Sequence, residues 1–371
     1  MSFRLLVDSE EFSSQFLQDI SAAQARVYVQ AMTFDADKSG LRVARTLMDA
    51  AAPDRRVLID EVSRFIVSDR FIYSPANWRD QELRREWQAT RSLAEDFRRH
   101  GVRVKITNPF GRFWSHFFAR NHKKLAVIDG RISYIGGINF SDHNFAWHDM
   151  MLRIENPSLA AFLEEDFLST WEGRNQAGFG SFPGIDIHLL DGRSNARAFE
   201  PILDLIRSAS ESIFIESTYF ALPFFDCLRQ IGPGRPPTIL VTSEVNNWPQ
   251  MRHYVPWEAR RSGIDLRLFP GRLTHLKAIL VDGRELVMGS ANFDFFSYSI
   301  YQEIVAVVRD PAAITAFKDR VVVPDLEKSA PFAGRVRPVR GRMRALSFRA
   351  LVRMNRWLTW TWPSNSVRTD Y

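Results

Sequence analysis

His122-Lys123-Lys124-Leu125-Ala126-Val127-Ile128-Asp129-Gly130 decides how this chain is read, because His275-Leu276-Lys277-Ala278-Ile279-Leu280-Val281-Asp282-Gly283 repeats it. Both stretches follow His-x-Lys-x4-Asp-Gly. After each comes a short apolar run and a small-residue step ending in Asn, Gly136-Gly137-Ile138-Asn139 in one and Gly289-Ser290-Ala291-Asn292 in the other. A single motif of this length is weak, but two with the same continuation point to an internally duplicated enzyme.

The flanks repeat as well. In the first half a helix is expected over Ser9–Ala25, a strand over Arg26–Phe34, a second helix over about Leu41–Ala51 and a buried strand over Arg56–Asp60. Residues 61–90, with Trp78 and Trp87 among many charges, read as an insertion. A helix from about Ser92 then ends at His100-Gly101, and Val102–Ile106 is a strand. In the second half, helix Ala196–Ala209, strands Ser212–Phe220 and Thr238–Thr242, a helix closing at Ser262-Gly263 and strand Ile264–Leu268 lead again to the motif. Helix–strand alternation with Gly closing the helices implies layered α/β units, with a boundary near Gly173–Gly184. Each motif lies on a hairpin: Asp129-Gly130 and Asp282-Gly283 are type I′ turn signals between apolar runs.

Composition sets outer limits. The chain has 371 residues, enough for two domain-sized cores, and its single cysteine, Cys227, leaves no disulfide framework or cysteine metal cluster. The net charge of +6 belongs to the tail. From Pro331 onward there are nine Arg against one acid, while the first 330 residues carry 40 basic and 42 acidic side chains. Acids stand too close to the N-terminus for a secretory signal, and no apolar run has the length of a membrane span. The expected localisation is cytoplasmic.

On a strand, His and the Lys two residues later share a face, so each motif delivers an imidazole beside an ammonium, while Lys123 and Leu276 face the other way. That pair suits phosphate chemistry: neutral His attacks phosphorus and Lys stabilises charge on the non-bridging oxygens. Two pairs, His122 with Lys124 and His275 with Lys277, supply both a nucleophile and an acid/base. Asn139, Ser290 and Asn292 are candidate phosphate donors. A reacting His needs a carboxylate to fix its tautomer, and Asp149 and Glu303, 27 and 28 residues after their histidines, are the candidates. Asp129 and Asp282 complete the motifs, as local braces at the turns. His116, His143, His148, His188 and His253 are expected to be structural.

These residues resemble the phospholipase D superfamily, whose signature is a duplicated His-x-Lys-x4-Asp. The stretch Asn121–Pro157 resembles bacterial cardiolipin synthases in its Asn-His-x-Lys, Ile-Asp-Gly-Arg, Gly-Gly-x-Asn, Trp147-His148-Asp149 and Arg153-Ile154-Glu155, and Gly289–Asp294 is similarly close. The resemblance covers about residues 5–310 and implies α/β/α phospholipase D-like domains, pseudo-symmetric and packed around one shared active site. Expected spans are 1–178 and 179–328, with an Arg/Trp-rich amphipathic tail over 329–371. It also implies a phosphohistidine intermediate with no metal or other cofactor. The family usually takes its nucleophile from the first motif, which points to His122, with His275 as acid/base; the symmetry leaves the reverse open. The chain departs from the usual pattern at Phe296 (commonly Arg), Tyr301 (often Asn) and His148 (commonly Arg). The paired N-terminal membrane spans of many cardiolipin synthases are missing.

Phe110, Phe113, Trp114, Phe117 and Phe118 precede the first motif and suit insertion at a membrane interface, or else a core edge. The tail mixes Arg with Trp357, Trp360 and other apolar residues. It fits anchoring on anionic lipid at the inner face of the cell membrane, a helix packed on the body, or a nucleic-acid-binding arm. The candidate membrane contacts are thus Phe113, Trp114, Phe117, Trp357 and Trp360. A near-neutral body ranks nucleic acid below lipid. The leading expectation is a phosphatidyltransferase or phospholipase D-type hydrolase acting on an anionic phospholipid, with no obligate protein partner. A nuclease or phosphodiesterase of the same superfamily is the alternative.

Overall fold

The computed structural model describes residues 1–111, 114, 116–246, 250–359 and 367–368. The chain divides into two compact units, one built on Met1–Gln176 and one starting at Ala177, inside the span where Gly and polar residues cluster.

The first unit opens with β1 (Ser2–Val7) and α1 (Asp8–Ala22), whose acid-rich first turn suits the helix N-terminus and whose Phe12, Phe16, Leu17 and Ile20 are buried. Next come β2 (Arg26–Ala31), α2 (Lys38–Asp49) and β3 (Asp54–Asp60). A small hairpin, β4 (Ile66–Val67) with β5 (Arg70–Phe71), precedes α3 (Pro75–Arg79), α4 (Gln81–Arg99) and β6 (Val102–Thr107). The motif hairpin is β7 (Leu125–Ile128) and β8 (Ile132–Gly136), followed by α5 (Asp142–Phe145), β9 (Met150–Glu155) and α6 (Pro157–Trp171).

The second unit contains β10 (Gly178–Phe182), β11 (Ile185–Asp191), α7 (Asn195–Arg207), β12 (Ile213–Ser217), α8 (Phe224–Gln230), β13 (Thr238–Ser243), α9 (Met251–Arg261) and β14 (Asp265–Phe269). Its motif hairpin is β15 (Lys277–Val281) and β16 (Glu285–Gly289), then α10 (Phe295–Ser299) and β17 (Gln302–Val308). After these come α11 (Pro311–Phe317), α12 (Val323–Lys328), β18 (Ala330–Pro331) and α13 (Pro338–Thr359). A last short strand, β19 (Val367–Arg368), pairs with β6.

The first sheet runs β1-β9-β8-β7-β2-β3-β6-β19 and the second β10-β11-β17-β16-β15-β12-β13-β14-β18. In each, three parallel strands (β2, β3, β6 and β12, β13, β14) adjoin the antiparallel motif hairpin. Of these, β12 and β13 are largely buried on both faces, which explains their apolar runs, whereas β6 and β14, farther from the hairpins, keep Arg103 and Asp265 exposed. The two cores are separate clusters, one around Phe16, Val29 and Tyr134, the other around Phe199, Ile215 and Phe293.

Two expectations about elements are corrected. The helix expected from Ser92 starts at Gln81, capped by Asp80, whose carboxylate accepts from the N–H groups of Glu82 and Leu83. Its apolar stripe, Leu83, Trp87, Thr90, Leu93, Ala94 and Phe97, is masked in the sequence by charges on the outer face; Leu83 and Trp87 close a small core with Val67 and Ile72. The first strand of each parallel set also stops short, β2 at Ala31 rather than Phe34 and β12 at Ser217 rather than Phe220.

Candidate active site

Both turns have the predicted geometry. Asp129 and Gly130 have φ of 51° and 61°, Asp282 and Gly283 of 51° and 63°, the double positive φ that a type I′ turn demands. The Asp side chains are braces. Asp129 accepts from the backbone N–H groups of Gln24, Ala25 and Arg26 at 2.8–2.9 Å, and Asp282 does the same for Ser210, Glu211 and Ser212 at 2.8–3.1 Å. Burial would raise the Asp282 carboxyl, but these donors outweigh it and hold it down at about 2. The paired strand entering each sheet is thereby pinned to the motif.

His122 and Lys124 are buried just ahead of β7, and His275 and Lys277 at the start of β15. Lys124 Nζ donates to the His122 carbonyl at 2.9 Å. Lys277 Nζ donates to the His275 carbonyl at 2.5 Å and lies 2.9 and 3.0 Å from the two ring nitrogens of that histidine. The spacing of two thus sets the ammonium beside its own histidine. Lys123 faces the other way, fully buried against Asp166 of α6 with Nζ–O distances of 2.6 and 2.8 Å; Leu276 is buried apolar.

The residue before each His is anchored at equivalent sheet positions, a feature sequence reasoning missed. Asn121 accepts from Gln30 Nε2 at 2.8 Å and donates its N–H to Asp60 Oδ2 at 2.6 Å, while Arg120 donates to Asp60 Oδ1 at 2.8 Å. In the second unit the hydroxyl of Thr274 donates to Glu216 Oε1 at 2.5 Å and its N–H to Ser243 Oγ at 2.7 Å. Strand register makes Gln30 the counterpart of Glu216 and Asp60 the counterpart of Ser243. Burial raises Asp60 and its Arg120 and backbone partners pull it back only to about 6. The available signal was a charged residue ending an otherwise apolar strand.

The expected carboxylates occupy matching places. Gly136 pairs with Met151 and Gly289 with Val305, so Asp149 and Glu303 stand two residues before equivalent positions. Asp149 is 2% exposed and Glu303 0%. A Cβ on Gly137 would stand 2.3 Å from Asp149 Oδ1, so glycine leaves the room this carboxylate fills. The counterpart of Gly137 is Ser290, whose hydroxyl donates to Glu303 Oε2; Ser297 donates to Oε1 at 2.8 Å. The expected phosphate donor Ser290 therefore commits its proton to Glu303, because that carboxylate lies within reach. Ser297 was missed, although Asp294 three residues earlier, which caps α10 by accepting from the Ser297 N–H at 2.9 Å, marks it. Burial, with the nearby Glu303 adding, pushes Asp294 up to about 7.

Asn139 and Asn292 are buried at 7% and 9% exposure. Asn139 Oδ1 accepts weakly from Thr33 N–H at 3.4 Å, and Asn292 Oδ1 has no hydrogen-bond partner among the described residues.

The departures from the family pattern have local partners. His148 Nδ1 lies 2.7 Å from Asp8 Oδ1, and Phe296 stacks on Tyr301 at 5.4 Å inside the second core. Within the first unit, Asp35, Asp37 and Glu86 gather closely enough to hold a cation; none is a motif residue.

Trp114 is 45% exposed, packed on Phe65, Phe110 and Phe117 at 5.1–5.7 Å. Phe117 is half-buried and Phe110 buried, so this stretch is part core edge and part exposed aromatic surface. Phe113, Trp360 and the side chain of Trp357 lie outside the described residues. The tail helix α13 packs on the second unit: Ala345 and Phe348 are buried, Phe348 against Tyr254 and Phe295 at 4.9 and 5.4 Å. Val339, Met343, Leu346 and Met354 stay exposed. No helix among the described residues is long and apolar enough to cross a membrane.

Comparison with known proteins agrees with this geometry. The family described as "Cardiolipin synthase, PLD-like domain" matches residues 16–171 and 202–321, well over half the chain. Cardiolipin synthase 1 of Bacillus anthracis is 24% identical over 357 residues, covering 85% of this chain and 64% of that protein. Cardiolipin synthase of Listeria welshimeri is 24% identical over 361 residues, covering 88% and 69%. The chain thus spans a little under two thirds of the length of the Bacillus relatives. Among solved structures, phosphatidylserine synthase from Haemophilus influenzae Rd KW20 superposes with a TM-score of 0.66 at 15% identity, covering 96% of this chain and 95% of that one. Polyphosphate kinase from Porphyromonas gingivalis gives 0.58 at 16% identity, covering 95% and 56%; at such identities both likenesses concern the fold. With two register-matched His–Lys motifs and a family match on either side of the boundary, the chain belongs to the phospholipase D-like domain family of the cardiolipin synthases.

Proposed function

We propose that the protein transfers a phosphatidyl group between alcohols, acting on an anionic phospholipid at a membrane surface. His122 attacks phosphorus and forms a P–N bond as the P–O bond to the leaving alcohol breaks. His275 gives its proton to that oxygen, then takes a proton from the incoming hydroxyl, which displaces His122. Lys124 and Lys277, with Asn139 and Asn292, stabilise charge on the non-bridging oxygens. Asp149 and Glu303 hold the imidazoles in their reacting tautomers, with Ser290 and Ser297 fixing Glu303. Asp129 and Asp282 act on the frame alone. Exposed Trp114 and the apolar residues of α13 left in solvent meet the membrane, with the protein bound peripherally on its cytoplasmic side.

The observation that carries this reading is the register match of two buried carboxylates on the strands next to the two motif hairpins. That the Bacillus and Listeria relatives are cardiolipin synthases supports lipid over nucleic acid. The test is incubation with phosphatidylglycerol liposomes and, in parallel, with oligonucleotides, followed by mass spectrometry of the products. New phospholipid, lost by roughly a thousandfold or more in His122→Ala and in His275→Ala, is expected. Cleavage of DNA with no change in lipid overturns the proposal.

A further inference from the structure

Three carboxylates of the first unit stand together, with Arg70 acting on Glu86 from beyond ion-pair reach. Asp35 and Asp37 lie in the link from β2 to α2, and Glu86 projects from α4. Oxygens of all three lie within 4.8 Å of one another. Among the described residues none of the three forms an ion pair. Asp35 is 2% exposed, and its Oδ1 has no hydrogen-bond partner. Its Oδ2 accepts from the Ser68 N–H at 3.1 Å, while the Ser68 hydroxyl donates to Glu86 at 2.8 Å. Asp37 accepts from the N–H groups of Gly40 and Asp142 at 2.9 and 2.5 Å. These partners fix the carboxylates in position but leave their mutual repulsion in place, and a buried acceptor with nothing to accept from is expensive.

We propose that Asp35, Asp37 and Glu86 form a divalent-cation site that takes calcium. The ligand set is all oxygen, which selects a hard cation. Two oxygens on one ion stand at most twice the bond length apart. Oxygens within 4.8 Å of one another can share an ion with bonds of about 2.3–2.6 Å, and three carboxylates on one ion suit Ca2+, since Mg2+ usually takes one or two and keeps its water. Asp37 and Glu86 are half-buried, so water completes the coordination. The ion ties α4 and the β4–β5 hairpin, through Ser68, to the loop leaving β2. That loop also carries Thr33, which donates to Asn139, so the cation stiffens the support of a candidate phosphate-binding residue. Its role is structural, independent of the proposed reaction.

The experiment is thermal unfolding of the full-length protein after EDTA treatment, titrated with CaCl2, MgCl2 or NaCl at matched ionic strength. About 1 mM Ca2+ is expected to raise the first transition by about 3 °C or more. EDTA should reverse the rise and Mg2+ give less. Ca2+ should also slow proteolysis within residues 66–72. Glu86→Gln, at a half-buried position, keeps the test usable if Asp35→Asn fails to fold; each should lose the calcium response and match or exceed the calcium-free wild type in stability. No rise in the wild type, or an equal rise in Glu86→Gln, overturns the proposal. A wild type that is instead stabilised by acid alone identifies shared protons as the neutralising charge and also overturns it.

Discussion

The Ser290 hydroxyl donates its proton to the buried carboxylate of Glu303, while the equivalent position in the other unit is Gly137, where no side chain fits beside Asp149. One duplicated step is thus solved twice, by a hydroxyl that reaches a long carboxylate and by a gap that a short one fills. Ser290→Ala should lower kcat roughly tenfold with KM nearly unchanged, and cost about 1–3 kcal/mol because a buried acceptor loses a donor. Ser297→Ala should do the same on the other oxygen. Steady-state kinetics with denaturant melts checks this; a change confined to KM would return Ser290 to direct phosphate contact.

Gly137→Ala should be more damaging than its size suggests. The new methyl would stand 2.3 Å from Asp149 Oδ1, so the carboxylate must move or the strand must shift. Overpacking of this kind costs about 1–3 kcal/mol. The pair Gly137→Ala with Asp149→Gly should recover the stability but not the activity, which separates crowding from chemistry. Full activity in Gly137→Ala would remove Asp149 from the proposed site.

Much of this was legible from residue order, and the rest was hidden for physical reasons. The hairpins, the order of strands and helices, and the paired carboxylates follow from period and repetition, because Asp-Gly turns and buried parallel strands leave strong local signals. The sequence pattern shows only the last part of α4, from Ser92, since its outer face carries so many charges that the stripe from Leu83 to Phe97 is diluted. The Arg120–Asp60 and Thr274–Glu216 anchors join residues 58–60 apart. Such pairs are set by sheet register, which no single stretch of sequence displays. Phe296 and Tyr301, unusual beside the motif, turn out to stack on each other, a compensation visible only once the strand and helix are placed.

The brace at the second turn gives a pH signature. Asp282 falls from 3.8 unfolded to about 2 folded. A depressed carboxylate contributes stability that is complete above the unfolded value and disappears as pH falls through the folded one. That drop to about 2 corresponds to about 1–2 kcal/mol after allowance for screening at the rim of the sheet. Denaturation of wild type and Asp282→Asn at intervals from about pH 7 to pH 2 should show a constant difference down to the unfolded value, then convergence. A difference that grows on acidification would contradict the brace.

Arg120 and Asp60 are both almost completely buried, at 3% and 0% side-chain exposure, with a 2.8 Å contact. Removing one partner leaves the other charge stranded in the interior. Arg120→Met should therefore cost about 3–5 kcal/mol, whereas Arg120→Met with Asp60→Leu should recover much of it. The double variant also loses the carboxylate that holds the Asn121 N–H, so its activity should remain low after stability returns. Recovery of both together would show that the anchor serves folding alone.

The tail separates into residues that pack and residues that face solvent, and the two sets make opposite predictions. Phe348 is 6% exposed between Tyr254 and Phe295, so Phe348→Ala should cost the second unit about 3–5 kcal/mol. Met343 and Leu346 are 65% and 59% exposed on the same helix. Changing both to Gln should alter stability by no more than about 0.5 kcal/mol and should weaken sedimentation with phosphatidylglycerol vesicles. The Arg residues around them make that binding fall with salt, since attraction to an anionic surface is screened within about a Debye length of 10 Å at 0.1 M. Vesicle binding that is indifferent to both the Gln changes and salt would leave α13 as a packing helix and move the membrane contact to the aromatic surface around Trp114. Truncation at residue 335 cannot distinguish these readings, because it removes the Phe348 core contact and β19 together with the exposed apolar residues.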